Sequence, residues 1–186
     1  MFSPRVVTLV GKGPSAVHAQ DWIDAVETDV AVINEAGLLL RRDQDIHFGF
    51  FSHPEGALRM RPLWDKIKIF SGPSHFDSEP TLPPGFPSSK HVGYYDWSCC
   101  GDDQSLVARI LCGGIAHHHT TTGAHHWLAK LGYKTVRVIG VDGGSAYADG
   151  MQGIGPQQPL DAWKEIHARL SDILLRVYGS ETVWFK

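Results

Sequence analysis

The 186-residue chain has little charge of either sign to spare: its formal net charge is -3, and its basic clusters, Arg41-Arg42 and Lys66/Lys68, are small. That balance excludes a global electrostatic pull toward nucleic acid and leaves the clusters as ordinary surface charge. Cysteine is scarce, with only Cys99, Cys100 and Cys112. An odd number without CxxC spacing argues against a disulfide framework or a structural zinc site. No apolar run approaches the ~20 residues of a membrane span. Met1-Phe2-Ser3-Pro4-Arg5 runs straight into an apolar segment without the architecture of a signal peptide. A soluble, cytoplasmic protein is expected. There is no internal repeat, and nothing in the sequence bears on oligomeric state.

What is present is ordinary globular composition, 42% hydrophobic and 20% charged, in a length that suits one domain with a sizeable core. Residues 1–186 are therefore read as a single unit. Arg5–Val10 is an apolar, β-branched run closed by Gly11-Lys12-Gly13, which predicts a first strand. Pro14 suits the first turn of a helix, and Ala16, Ala19, Ile23 and Val26 recur at helical spacing, predicting a helix over Pro14–Glu27. Asp29–Asn34, Ile46–Phe51 and Lys66–Phe70 read as further strands, with a short helix over Pro54–Trp64. Ser71–Lys90 then carries Pro73, Pro80, Pro83, Pro84 and Pro87, and this Pro-rich loop is either a lid over a ligand or a surface excursion.

Beyond it, His91–Trp97 suggests a strand and Gln104–Gly113 a short helix or turn. Thr122–Leu131 and Thr135–Val141 read as a helix and a buried strand. A Gly-rich loop runs to about Pro159. Leu160–Tyr178 follows as an amphipathic helix with Trp163, Ile166, Leu170, Ile173, Leu174 and Val177 on one side, and Thr182–Phe185 as a last strand. Strands alternating with helices predict an α/β protein: a Rossmann-like domain of three layers around a mainly parallel sheet.

Several strand ends carry chemistry. Gly11-Lys12-Gly13-Pro14-Ser15 lies between a strand and a helix, where glycines permit close backbone approach and a helix start favours an anion. It is neither the dinucleotide GxGxxG nor a Walker A sequence; its place between strand and helix favours ligand binding over the alternative of an ordinary tight turn. Asn34, followed by Glu35, offers a donor and an acceptor to a base or ribose edge, although strand-end asparagines also serve simply as turn residues. Ser52-His53 closes the third strand and joins the candidate binding residues. Thr120-Thr121-Thr122-Gly123 opens the later helix, where a Thr caps the helix whether or not a ligand binds, while Gly123 permits close approach.

His117, His118, His119, His125 and His126 form the densest histidine cluster. Adjacent imidazoles rarely converge on one centre and no HExxH spacing accompanies them, so no metal site is expected; one of them as a base or phosphate contact is the better reading. Asp142, at the end of a buried strand and followed by Gly143-Gly144, is placed to hold a hydroxyl, accept a proton, bind a metal or simply cap a loop. His167 falls on the apolar stripe of the last helix, where a buried, satisfied histidine is the simpler account.

In order along the chain, GKGPS, VINEA, FFSHP, TTGAHHWLAKLGYKTVRVIGVDGG and SAY resemble the bacterial sialyltransferases of glycosyltransferase family 42. The GxGPS opening and the later helix–strand are also similar to those of the archaeal 6-hydroxymethylpterin diphosphokinase-like proteins. The first resemblance implies that Gly11, Gly13, Pro14 and Ser15 approach the phosphate or sugar of a donor, and that Asn34 contacts its nucleotide. It also implies that Thr122 and Gly123 lie against the donor and that Tyr147 hydrogen-bonds the leaving phosphate. Lys12 stands where the family has Asn, and Gly143-Gly144 where it has an aromatic pair. No histidine lies between Gly144 and the last helix, the region of the family's base.

The function expected from residues and resemblance together is a glycosyltransferase-like enzyme without metal or other cofactor. It would take a nucleotide-activated sugar, CMP-linked in the family, and transfer the glycosyl group to an acceptor hydroxyl. Asp142 or His118 would be the base and Tyr147 would act on the leaving group. Gly11, Lys12, Gly13, Pro14, Ser15, Asn34, Ser52, His53, Thr121, Thr122, Gly123 and Gly143 would line the site. The alternatives are Mg²⁺-dependent pyrophosphoryl transfer from ATP, with Asp142 and Asp149 as the nearby carboxylates, and a non-catalytic nucleotide-binding module.

Overall fold

The structure, a computed structural model, describes residues 5–74, 82–96, 120–153 and 160–185. Its strands are β1 (Val6–Val10), β2 (Asp29–Ile33), β3 (Ile46–Phe50), β4 (Ile67–Ser74), β5 (His91–Asp96), β6 (Thr135–Ile139) and β7 (Glu181–Trp184). The α-helices among the described residues are α1 (Ala19–Asp24), α2 (Pro54–Arg59), α3 (Thr120–Lys130) and α4 (Leu160–Tyr178). The strands form one seven-stranded sheet in the order β5-β4-β3-β2-β1-β6-β7. Every neighbouring pair is parallel. The chain moves outward from β1 to β5, then returns to the other side of β1 with β6. This reversal between β1 and β6 is a topological switch point, and it makes the domain Rossmann-like.

The period-two pattern of the strands divides the core between two faces. Val10, Val30, Val32, Ile46, Phe70 and Ile139 face a cluster completed by Ala19 and Ile23 of α1 and by Met60, Leu63 and Trp64. Val7, Leu9, Ala31, Ile33, Phe48, Phe50, Val136 and Val138 face the other, where Ala124 and Leu128 of α3 cover them. β1 and β2 are apolar apart from Thr8 and Asp29 because both faces of the sheet are covered, as parallel sheets require. Leu170 and Leu174 seat α4 on α3 through Ala129. Val177, expected on the same stripe, is exposed.

Some elements differ from the expectations. Pro14–His18 is a 3-10 turn and only Ala19–Asp24 is α-helical. The helix stops early because Val26, at the next helical position, lies outside the core and is exposed. Asn34 does not end β2 in an extended conformation: its φ is +50°, and it opens a 3-10 helix over Asn34–Leu39. Asn tolerates this left-handed region better than other non-glycine residues. The segment after β3 divides into α2 and a 3-10 turn over Arg61–Leu63, with Pro62 at its start. In the Pro-rich stretch, β4 continues to Ser74, and Phe86 packs edge-on against Phe51, Trp64 and Phe70. Residues 82–90 are thereby tied to the core beside β3 and β4. The expected element over Gln104–Gly113 lies outside the described residues.

Candidate functional site

The C-terminal ends of β1, β2, β3 and β6 and the start of α3 meet along one edge of the sheet, which is where open α/β domains place ligands. The glycine turn after β1 is clasped directly to the end of β6. Gly11 N–H donates to the Ile139 carbonyl at 2.8 Å, and Gly13 N–H to the Gly140 carbonyl at 2.7 Å. A Cβ on Gly11 would lie 2.3 Å from the Gly140 oxygen, and one on Gly13 would lie 2.2 Å from Asp142 Oδ2. Ser15 completes the clasp from both its ends. Its hydroxyl accepts from Gly140 N–H at 2.9 Å, and its own N–H donates to Asp142 Oδ2 at 3.0 Å. These glycines are needed for strand-to-strand contact whatever else the turn does. The exposed Asp142 carboxylate occupies one position where an anion would meet the backbone amides.

Lys12 points into the protein. Its Nζ donates to Glu35 Oε1 at 3.1 Å and to the Gln152 carbonyl, with only 8% of either charged side chain exposed. Arg59 from α2 joins the same two acceptors, 3.5 Å from Glu35 and 3.2 Å from the Gln152 carbonyl, and also pairs with Glu55. The Lys12 carbonyl accepts Ala148 N–H at 2.8 Å, and its ammonium sits 5.5 Å from the ring centre of half-buried Tyr147. Burial holds the Lys12 pKa below its ordinary value, opposed by the attraction of Glu35. A lone buried ammonium would neutralise; the paired carboxylate is the partner that such a group requires.

Asn34 is buried, and its Oδ1 has no hydrogen-bond partner among the described residues. Glu35 Oε2 is in the same position. Gly56 leaves room above Asn34, since a Cβ there would lie 2.4 Å from Oδ1. Ser52, buried at the end of β3, shares a hydrogen bond between its hydroxyl and that of Thr120 at the start of α3. His53 is exposed and precedes α2. Thr121 and Thr122 are buried and Gly123 half-buried in the first turn of α3. Gly143 follows Asp142 with a φ of +77°.

The structure therefore brings Gly11 to Ser15, Asn34, Ser52, Thr121 to Gly123, Asp142, Gly143 and Tyr147 to one edge. His118 lies outside the described residues, as do His117 and His119. His125 and His126 turn toward the back of α3. His125 is fully buried, with Nε2 3.0 Å from the Thr182 hydroxyl, and burial presses its pKa down to about 3. His126 lies 3.0 Å from the Tyr178 hydroxyl. His167 is buried against the Trp184 ring, 4.7 Å away and edge-on. Sequence reasoning did not single out Arg59 or Gln152, which lie far from Lys12 in the chain and carry no local signal of the contact.

Among the described residues no cluster of His, Cys, Asp or Glu could hold a metal ion, and no helix is long and apolar enough to cross a membrane. Neither a family model nor a curated protein sequence matches the chain. Solved structures of similar fold include the monofunctional alpha-2,3-sialyltransferase Cst-I from Campylobacter jejuni. It aligns with a TM-score of 0.63 at 17% identity, over 97% of this chain and 75% of that one. The sialyltransferase CstII from the same organism, in complex with the substrate analogue CMP-3FNeuAc, aligns with a TM-score of 0.63 at 14% identity, over 97% and 80%. A complex of Cst-II with CMP gives 0.60 at 14% identity. At these identities the likeness establishes a sialyltransferase-like fold. It lends nothing to the relation with the pterin diphosphokinases.

Proposed function

We propose that the chain binds a nucleotide-activated sugar, CMP-linked, and transfers the glycosyl group to an acceptor hydroxyl without a metal ion. The observation that carries this reading is the convergence of the glycine clasp, the left-handed Asn34 and the first turn of α3 at the switch-point edge. The solved structures of like fold include complexes with CMP and with a CMP-sugar analogue. Asn34 takes the nucleotide through its side-chain amide. The turn from Gly11 to Ser15, together with Thr121, Thr122 and Gly123, supplies close backbone approach and amide dipoles toward the donor. Ser52, His53 and Gly143 complete the lining, and Lys12 supports it from below.

In the transfer step the bond between the sugar and the phosphate oxygen breaks as the acceptor oxygen attacks. Tyr147 donates a hydrogen bond to the departing phosphate, and Asp142 or His118 takes the acceptor proton. Asp142 reaches solvent while one oxygen is held by Ser15 N–H, which suits a fixed base.

A second reading, a nucleotide-binding module without catalysis, is favoured by one observation. The Lys12 ammonium and an Asp142 oxygen are both already engaged within the protein. Thermal-shift titration with CMP, UDP, GDP and ATP, each with and without Mg²⁺, followed by assay of CMP-sugar hydrolysis, separates the readings. Metal-independent stabilisation by CMP with donor hydrolysis lost in Asp142→Ala supports transfer. Stabilisation without hydrolysis leaves the module, and strict Mg²⁺–ATP dependence overturns both for pyrophosphoryl transfer.

A further inference from the structure

The Lys12 cluster is built differently from a phosphate site. A phosphate-directed lysine needs an accessible ammonium, whereas Lys12 and Glu35 are each 8% exposed in their side chains. Both cations of the cluster converge on one backbone oxygen, the Gln152 carbonyl, from different elements: Lys12 after β1 and Arg59 at the end of α2. That carbonyl belongs to the loop that carries Tyr147. The same loop is tied a second time by Ala148 N–H to the Lys12 carbonyl, and Met151 N–H closes a turn onto Ala148. The charges balance within the cluster, Lys12 and Arg59 against Glu35 and Glu55.

We propose that Lys12 is a positioning residue: with Arg59 and Glu35 it latches the 144–153 loop onto the ends of β1 and β2, and so holds Tyr147 beside the glycine turn. The latch follows from the contacts alone; its consequence for a nucleoside monophosphate rests on the function proposed above. Because the ammonium is spent internally, it orders the loop and does not itself bind the phosphate. The two roles differ in sign. Releasing Lys12 from Glu35 would strengthen phosphate binding if Lys12 were a phosphate ligand, but would loosen the loop if it is a latch.

The test compares wild type with Lys12→Met, Glu35→Gln, Arg59→Met and the double variant Lys12→Met/Glu35→Leu. Amide hydrogen exchange of the 144–153 peptide and CMP titration at low and high salt are the two readouts. Each single variant is expected to speed exchange in that peptide roughly tenfold while exchange in the β1–β2 peptides stays unchanged. Lys12→Met and Glu35→Gln are both expected to weaken CMP binding by about tenfold, with the salt dependence unaltered. The double variant removes the buried charge imbalance, so its melting temperature recovers while loop exchange stays fast. Unchanged loop exchange in Lys12→Met, tighter CMP binding in Glu35→Gln, or restored loop protection in the double variant would each overturn the latch. Should Lys12→Met not fold, Arg59→Met and the double variant decide the same question. If wild type binds no CMP, the nucleotide reading fails, and exchange alone still decides the latch.

Discussion

The two edges of the sheet are built from the same strands and are finished in opposite ways. At the N-terminal edge, residues flanking β1, β2, β3 and β6 close into a polar network. Arg5 donates to the Tyr133 hydroxyl at 3.1 Å, and that hydroxyl donates to Asp29 Oδ2. His47 Nε2 lies 3.2 Å from Asp29 Oδ1. His47 Nδ1 accepts from Val30 N–H at 3.3 Å, which assigns the ring proton to Nε2. Burial together with the Asp29 carboxylate pushes the Tyr133 hydroxyl pKa well above its ordinary value, so it remains a donor throughout. At the C-terminal edge, by contrast, Asn34 sits in a left-handed conformation, and buried oxygens of Asn34 and Glu35 have no hydrogen-bond partner among the described residues. A buried polar atom without a partner costs about 1–3 kcal/mol. Where β1, β2, β3 and β6 begin, the first edge is closed by mutual hydrogen bonds; the second holds a left-handed Asn34 and unmet polar groups beside it.

Substitutions that respect or violate this division sharpen it. The largest effect is expected from Gly11→Ala, whose methyl would meet the Gly140 carbonyl carbon and oxygen of the clasp, fixed backbone that cannot swing aside. A loss of about 3 kcal/mol or more in urea unfolding is expected, so that the variant reports on folding before it reports on ligand.

Acid comes next. His125 is neutral in the folded protein, with its pKa lowered to about 3, while the unfolded chain protonates it near its ordinary value. The unfolded state therefore binds more protons between those limits. Stability is complete above about pH 6.5 and falls by at most about 1.4 kcal/mol per pH unit below it, reaching its floor near the folded pKa. His125→Gln should flatten that slope in urea titrations at pH 7, 6, 5 and 4. An unchanged slope would assign the acid sensitivity to other groups.

At the N-terminal edge, Tyr133→Phe removes one donor from the closed network and leaves Asp29 short of a partner. A loss of about 1–2 kcal/mol is expected, with CMP stabilisation intact. The smallest effect on folding belongs to the other edge. Asn34→Gly relaxes a positive φ and deletes an unpartnered oxygen, so stability should stay within about 0.5 kcal/mol of wild type while the CMP-induced thermal shift disappears. If Asn34→Gly proved as destabilising as Tyr133→Phe and still bound CMP, the contrast between the edges would collapse.

Much of the fold was legible in the chain. The runs Val6–Val10, apolar but for Thr8, and Val30–Ile33 suit strands covered on both faces, and the structure places them in the interior of the sheet. Turn chemistry was legible too, in Gly11 and Gly13, whose positions the close contacts to Gly140 and Asp142 require. The conformation of Asn34 was not, because an Asn after a strand is at home extended or left-handed, and local sequence does not choose between them. Nor was the partner of Asp142. A carboxylate after a strand can be a base, a ligand or a cap, and Ser15, far from it in sequence, decides which oxygen is already used.

By itself, the sequence determined the alternation of strands and helices and the places where glycine must stand. Those depend on local sterics and on hydrophobic period, which neighbours in the chain already share. Only the tertiary structure decided what the charged residues of the candidate site do. Lys12, Glu35, Arg59 and Gln152 come from separate elements, and whether an ammonium faces a ligand or a buried carboxylate depends on distances that no local pattern encodes.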